Sequence, residues 1–190
     1  MGKENKTIFV ILGYLNHEDM TGYDIKKRID ATLSYFWKTG FGQIYPTLKQ
    51  IEKYGWINKR SEMSGKLERI IYSITEEGRK QLIDWLTSSK ETEEPKFEIL
   101  LKVFFGGALE TQNNIDNIVA FKNKYSAQLP VFKAYEKELE SILMDSPDHL
   151  YYLITVLFGD KMTNAYIEWA DEAIKLLEAS KNTTKKELVL

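Results

Sequence analysis

The 190-residue sequence predicts a mainly α-helical fold in two parts, on three observations. Apolar residues recur at helical spacing through most of the chain. The period switches to two in one place, between Trp56 and Ile74, where two short runs flank a turn. The stretch Ser88–Lys96 (S-S-K-E-T-E-E-P-K) has no apolar residue and marks a linker. The predicted domains are therefore residues 1–88 and 97–190, joined by 89–96.

Composition bounds the class. Hydrophobic residues make up 43% and charged residues 28%, ordinary values for a globular protein in water. The absence of cysteine excludes disulfides and thiolate metal sites and fits a reducing cytoplasm. No apolar run nears the ~18 residues of a membrane span, and M-G-K-E-N-K lacks the apolar core of a signal peptide. The expected location is the cytoplasm, with no membrane partner. Residues 1–80 hold 14 Lys and Arg against 10 Asp and Glu, whereas 81–190 hold 12 against 18. A basic first half favours a polyanionic partner there.

Taken in order, Thr7–Leu15 is an almost unbroken apolar run suited to a buried first helix. Asn16–Asp19 is a polar turn. Thr21-Gly22-Tyr23-Asp24 opens a second helix, with Thr21 as N-cap and Asp24 favoured by the positive helix end. Ile25, Ile29 and Leu33 form its inner stripe, with Lys26, Lys27 and Arg28 outside. A third helix is predicted over Gly42–Tyr54, with Gly40 and Gly42 beside Thr39, a candidate N-cap, as its start signal. Pro46 is predicted in the first turn, where its missing N–H costs nothing. Ile44, Leu48 and Ile51 face inward. Gln43, Tyr45, Thr47, Lys49, Gln50 and Lys53 make up the outer face, with no carboxylate until Glu52. Gly55 ends the helix.

Trp56–Met63 and Leu67–Ile74 then read as strands around the turn Ser64-Gly65-Lys66, a hairpin with Lys59, Arg60, Lys66 and Arg69 at or near its tip. Thr75 caps a fourth helix through Leu82, Ile83, Trp85 and Leu86. Three helices, a basic two-stranded wing and a further helix make a winged helix-turn-helix. Amides and hydroxyls on the third helix suit base edges, and its lysines suit phosphates.

Beyond the linker, Phe97–Phe105 is a short apolar helix ended by Gly106-Gly107. Thr111–Met144 is helical in pattern, with Pro130 predicting a break near Leu129. Pro147–Lys181 predicts a last helix approaching ~50 Å at ~1.5 Å per residue, too long for one small domain to cover. A partner chain is the natural cover, making this a long-helix dimerisation domain.

Catalysis has no foundation in the sequence. His17 and His149 lack a nucleophile or carboxylate at triad spacing. Gly40-Phe41-Gly42 lacks the remaining elements of a phosphate loop. The Glu91, Glu93, Glu94 cluster lies in the linker without a histidine. No cofactor, metal or catalytic residue is expected. Among the many aromatic residues of the second half, Tyr125, Phe132, Tyr166 and Trp169 are candidates to line a pocket for a small aromatic effector; core packing is the alternative.

Four motifs carry a resemblance: G-Y-D-I at Gly22–Ile25, G-Q-I-Y-P-T-L at Gly42–Leu48, the continuation L-K-Q-I-E-K-Y-G-W-I, and I-Y-S-I-T-E-E-G-R at Ile71–Arg79. Together they resemble the PadR family of bacterial winged-helix regulators over residues 8–88. The second half, through F-E-I-L-L-K-V-F-F and A-Y-I-E-W-A-D-E, is similar to the helical C-terminal domain of the family's longer members, in which helices of two chains interlock. The bulky aromatic group in Ser34–Phe41 and the short wing Ser61–Lys66 depart from the family pattern.

The resemblance implies a homodimeric repressor on double-stranded operator DNA, with two Gly42–Tyr54 helices in successive major grooves. Gln43, Thr47 and Gln50 are then the candidate base contacts. Tyr23, Lys26, Tyr45 and Lys49 position phosphates, and Lys66 and Arg69 reach the backbone from the wing. A winged-helix protein-interaction module without DNA specificity is the alternative.

Overall fold

Near-continuous hydrophobicity over Thr7–His17 forms α1, whose Ile11, Leu12 and Leu15 lie at the centre of the first core. The computed structural model describes residues 5–64, 67–89 and 96–187 and divides into two units, Met1–Glu93 and Glu94–Leu190. The expected linker falls mostly on residues 90–95, outside the described residues.

In the first unit a two-residue strand, β1 (Met20–Thr21), precedes α2 (Gly22–Thr32). Thr21 caps α2 as its sequence predicts: the hydroxyl accepts from the Asp24 N–H at 3.1 Å and donates to the Asp24 carboxylate at 2.7 Å. Helix α3 spans Phe41–Lys53 and buries Ile44, Leu48 and Ile51 against Ile11, Leu12, Ile25 and Ile29.

Two expectations about its start need correction. Gly40 is the N-cap, extended at φ −89° and ψ 163°, with its carbonyl accepting from Gln43 and Ile44 at 2.9 and 3.2 Å. Thr39 is buried instead, and its hydroxyl finds no hydrogen-bond partner among the described residues. Because the helix starts at Phe41, Pro46 stands sixth in it rather than in the first turn. Its missing N–H therefore removes one intrahelical bond.

Gly55, at φ +73°, closes α3. Its N–H reaches Glu52 O at 2.9 Å and that of Trp56 reaches Ile51 O at 3.0 Å, the double bond of a Schellman end. The wing follows: β2 (Ile57–Ser64) pairs antiparallel with β3 (Leu67–Ile74) from Ile57↔Ile74 to Ser64↔Leu67. Strand β1 adds to β3 through Met20↔Tyr72 and Thr21↔Ile71, so the sheet order is β1-β3-β2.

Thr75 caps α4 (Glu76–Leu86) and ties it to the end of α3. Its N–H donates to Trp56 O at 3.0 Å and its hydroxyl to Gly55 O at 2.8 Å, while the hydroxyl accepts from the Gly78 N–H at 3.1 Å. Gly78 is the residue this junction requires, since a Cβ there would lie 2.1 Å from Trp56 O. Phe9 and Trp85, stacked at 4.6 Å, dock α4 on α1.

Among its described residues the second unit contains helices and no strand: α5 (Glu98–Phe104), a 3-10 turn (Gly106–Ala108), α6 (Thr111–Ser126), α7 (Leu129–Ser141) and α8 (Pro147–Glu187). The predicted break at Leu129 is present, with Pro130 in the first turn of α7, and α7 ends at Ser141, short of Met144. The 41 residues of α8 reach ~60 Å at ~1.5 Å per residue, past the predicted end at Lys181. Both α6 and α7 pack along it. Ile99, Ile118 and Ala170 centre this core, and Lys122 pairs with Asp171 at 2.5 Å.

Candidate nucleic-acid interface

The outer face of α3 is set by what its inner face must bury. With Ile44, Leu48 and Ile51 inside, helical spacing turns Phe41, Gln43, Tyr45, Lys49 and Lys53 to solvent. Gln43 bends back toward the helix start, its amide oxygen 3.4 Å from the Gly40 N–H. Gln50 is half-buried and donates to the Tyr54 hydroxyl at 2.9 Å. Lys49 makes no ion pair among the described residues, so its charge is available.

Thr47 is not on this face. It is 2% exposed, accepts from the Asn5 side-chain amide at 2.9 Å and donates to Gln43 O at 2.7 Å. Three residues after Ile44 and four before Ile51, it lies on the inner stripe, and its hydroxyl is used within the fold. Its expected base contact is therefore withdrawn.

At the amino end of α3 an aromatic row gathers. Tyr23 of α2, Phe41 and Tyr45 lie nearly parallel, with centroids 6.3 and 6.2 Å apart and interplanar angles of 17° and 16°. All three rings are exposed. Lys26, expected as a free phosphate anchor, is largely covered: its ammonium pairs with Asp30 and stands 5.4 Å from the Phe41 centroid. Its charge is thus shared with a carboxylate one turn away. Phe41 itself is a member of the face that residue-type reasoning missed, because a phenylalanine beside two glycines has no polar chemistry to signal it.

The wing presents fewer free cations than its composition suggests. Lys59 pairs with Glu52 at 2.8 Å, and that hydrogen bond raises its pKa above the ordinary lysine value. Arg60 bridges Asp19 of the α1–β1 turn and Glu62, the latter at 2.9 Å. Arg69 is exposed and unpaired among the described residues. Lys66 lies outside the described residues.

In the second unit, three of the four candidate effector residues meet. Tyr125 and Tyr166 are 4.8 Å apart, and Phe121 links them to Trp169 at 5.4 Å, with Phe97 closing on Tyr166 at 5.4 Å. Burial raises the Tyr166 phenol above its usual pKa. Phe132 does not join them: it is buried against α8 at Gly159, where a Cβ would lie 2.6 Å from its Cε1. An open cleft of about 280 Å³ between α5 and α6 touches the ring cluster through Phe121 and carries Lys102 and Lys124 at its margin.

Among the described residues no group of three His, Asp or Glu side chains is placed to hold a metal ion, and no helix is long and apolar enough to cross a membrane.

Residues 11–84 match the model of the transcriptional regulator PadR-like family, and residues 95–178 match that of the virulence activator alpha C-terminal region. The negative transcriptional regulator PadR of Bacillus subtilis is 31% identical over 176 residues, covering 90% of this chain and 96% of the relative. The fold is similar to the crystal structure of Bacillus subtilis PadR in complex with operator DNA. That match has a TM-score of 0.81 and 29% identity, covering 91% of this chain and 99% of that one. It is also similar to the same protein in complex with p-coumaric acid, with a TM-score of 0.76 and 28% identity over 92% of this chain and 99% of that one.

Proposed function

The chain belongs to the PadR-like family of transcriptional regulators, and on that premise we propose that it is a homodimeric repressor that binds operator DNA and releases it on taking up a small aromatic molecule. The observation that carries the DNA-binding reading is the outer face of α3. Gln43, Tyr45 and Lys49 are exposed there with no carboxylate before Glu52, on a fold whose relative is known on operator DNA. Gln43 and Gln50 read base edges once their exposed internal hydrogen bonds, at 3.4 and 2.9 Å, are exchanged for bases. Tyr23, Tyr45 and Lys49 hold phosphates, with Arg69 and Lys66 following from the wing.

The dimer reading rests on the second unit by itself. Tyr151, Ile154 and Phe158 of α8 and Leu101, Phe104 and Phe105 around the end of α5 are all exposed. Apolar surface of that extent needs a cover, and a second copy of the same helices supplies it. Two copies place two α3 helices one DNA turn apart, so the operator has two-fold symmetry. The effector reading is carried by the Tyr125, Tyr166 and Trp169 cluster together with the relative's p-coumaric acid complex.

We assign the chain no enzymatic activity, and its place of action is the cytoplasm, where DNA is. His149, one of the two histidines, has its Nδ1 engaged with the Ile142 carbonyl oxygen at 2.6 Å.

The deciding experiment is purification of the protein with the cellular DNA fragments it retains, sequencing of those fragments, and titration of the recovered site. A two-fold site bound in the nanomolar range and released by an aromatic acid is the expected result. Failure to retain or bind any DNA at low salt overturns the reading and favours a protein-interaction module.

A further inference from the structure

The aromatic row at the start of α3 contains one ring that a phosphate or polar base edge cannot use. Tyr23 and Tyr45 each carry a hydroxyl; Phe41, between them, carries none. It is the first residue of α3, 45% exposed, and held between two neighbouring rings at near-parallel angles. The surroundings keep the row in place. Gly22 is buried beneath Tyr45, and Lys26 packs its ammonium 5.4 Å from the Phe41 centroid. A pre-positioned ring loses little conformational freedom when it is covered.

We propose that Phe41 is a specificity-determining contact that selects thymine by its C5-methyl group at one position of each operator half-site. This rests on the DNA-binding reading of α3 given above. The amino-terminal residues of a helix seated in the major groove lie against base edges. Within that groove the thymine methyl is the apolar feature that distinguishes one base pair from the others, and phenylalanine is suited to contact it. The outer face of α3 has no carboxylate before Glu52, the Asp30 carboxylate of α2 near Phe41 is paired with Lys26, and Lys49 two turns on holds the backbone. Deoxyribose is the competing apolar surface, and the test separates the two.

The full-length protein is titrated against its recovered operator and against duplexes in which each thymine of a half-site is replaced in turn by deoxyuridine. This change keeps pairing and removes the methyl alone. For the native protein, one position per half-site weakens binding about fourfold, the effect of one methyl group returned to water. Substituting both half-sites gives roughly 15-fold if the two add. Phe41→Ser binds the thymine operator with the same loss and no longer distinguishes thymine from uracil there. Phe41→Leu retains most of the discrimination, which keeps the test decisive should Phe41→Ser melt early.

A native protein that binds the operator but senses no methyl overturns the inference and leaves DNA binding intact. So does a Phe41→Ser protein that still discriminates, which would assign the ring to sugar. A native protein that binds no DNA overturns the DNA-binding reading, and this inference falls with it.

Discussion

Gly22 leaves room for one particular neighbour: a Cβ there would stand 2.8 Å from Cε1 of Tyr45 and 3.1 Å from Cδ1 of Leu48. The nearest obstacle is the far edge of a rotatable ring, so Gly22→Ala displaces Tyr45 rather than the helices. The cost in stability should be about 1 kcal/mol, at the lower end of overpacking penalties. Operator affinity should fall more than this loss suggests, because the aromatic row is disturbed. Thermal melts and titrations of the same preparation check it; unchanged affinity would remove Tyr45 from the interface.

Gly78 gives the opposite outcome. A Cβ there meets backbone, the Trp56 carbonyl oxygen, at 2.1 Å, and no rotamer relieves it. Gly78→Ala should cost roughly 2–3 kcal/mol or more, since the wing base must separate from α4. Urea unfolding should show a lower midpoint, and a variant as stable as the native chain would contradict the junction.

Thr47→Val and Lys49→Ala separate an inner position from an outer one two residues away. Thr47→Val removes the hydroxyl bonds to Asn5 and Gln43 and should lower stability by about 1 kcal/mol, without changing which bases the operator requires. Lys49→Ala should leave stability within ~0.5 kcal/mol and reduce the salt dependence of binding by about one unit. Parallel salt titrations compare them, and a salt slope altered by Thr47→Val would place that residue back at the DNA.

Gln43→Ala and Gln50→Ala should lower discrimination by roughly 1–3 kcal/mol at particular base pairs. Binding to unrelated DNA should hardly change. A uniform loss on every sequence would show that these amides position the helix rather than read bases.

In the wing, Arg69→Glu should weaken operator binding more than Lys59→Glu does. Lys59 already lends its charge to Glu52, whereas Arg69 has no carboxylate partner among the described residues. The difference should shrink as salt is raised, because both effects are screened. Equal losses at low salt would mean that Lys59 leaves Glu52 for the DNA.

What was legible in the sequence is what short-range chemistry decides. Thr21 and Thr75 cap helices with their own hydroxyls, Gly55 takes a left-handed turn, and Pro130 breaks a helix; each needs only its near neighbours. Thr47 was legible too, yet misread. It stands at i+3 in the series Ile44, Leu48, Ile51, and its polarity outweighed a periodicity that placed it inside. The remaining differences are long-range. Strand β1 is two residues long and exists through Tyr72 and Ile71 some fifty positions later. Arg60 is tied to Asp19, and Phe132 is drawn to Gly159, by partners that no local window contains.

The hydrogen bonds that bring Gly55, Trp56 and Thr75 together close the wing at its base, independently of its far end. The hairpin is therefore a module that can change length without altering where α3 ends or α4 begins. Residues added at the tip, beyond Met63 and Glu68, should be tolerated in pairs, one on each strand, since paired additions keep the register of the strands below them. A single added residue would have to bulge at the tip or turn the outer side chains of one strand to the opposite face. Reach along a duplex is in this way an adjustable property of the scaffold, separable from the face of α3 that chooses the sequence.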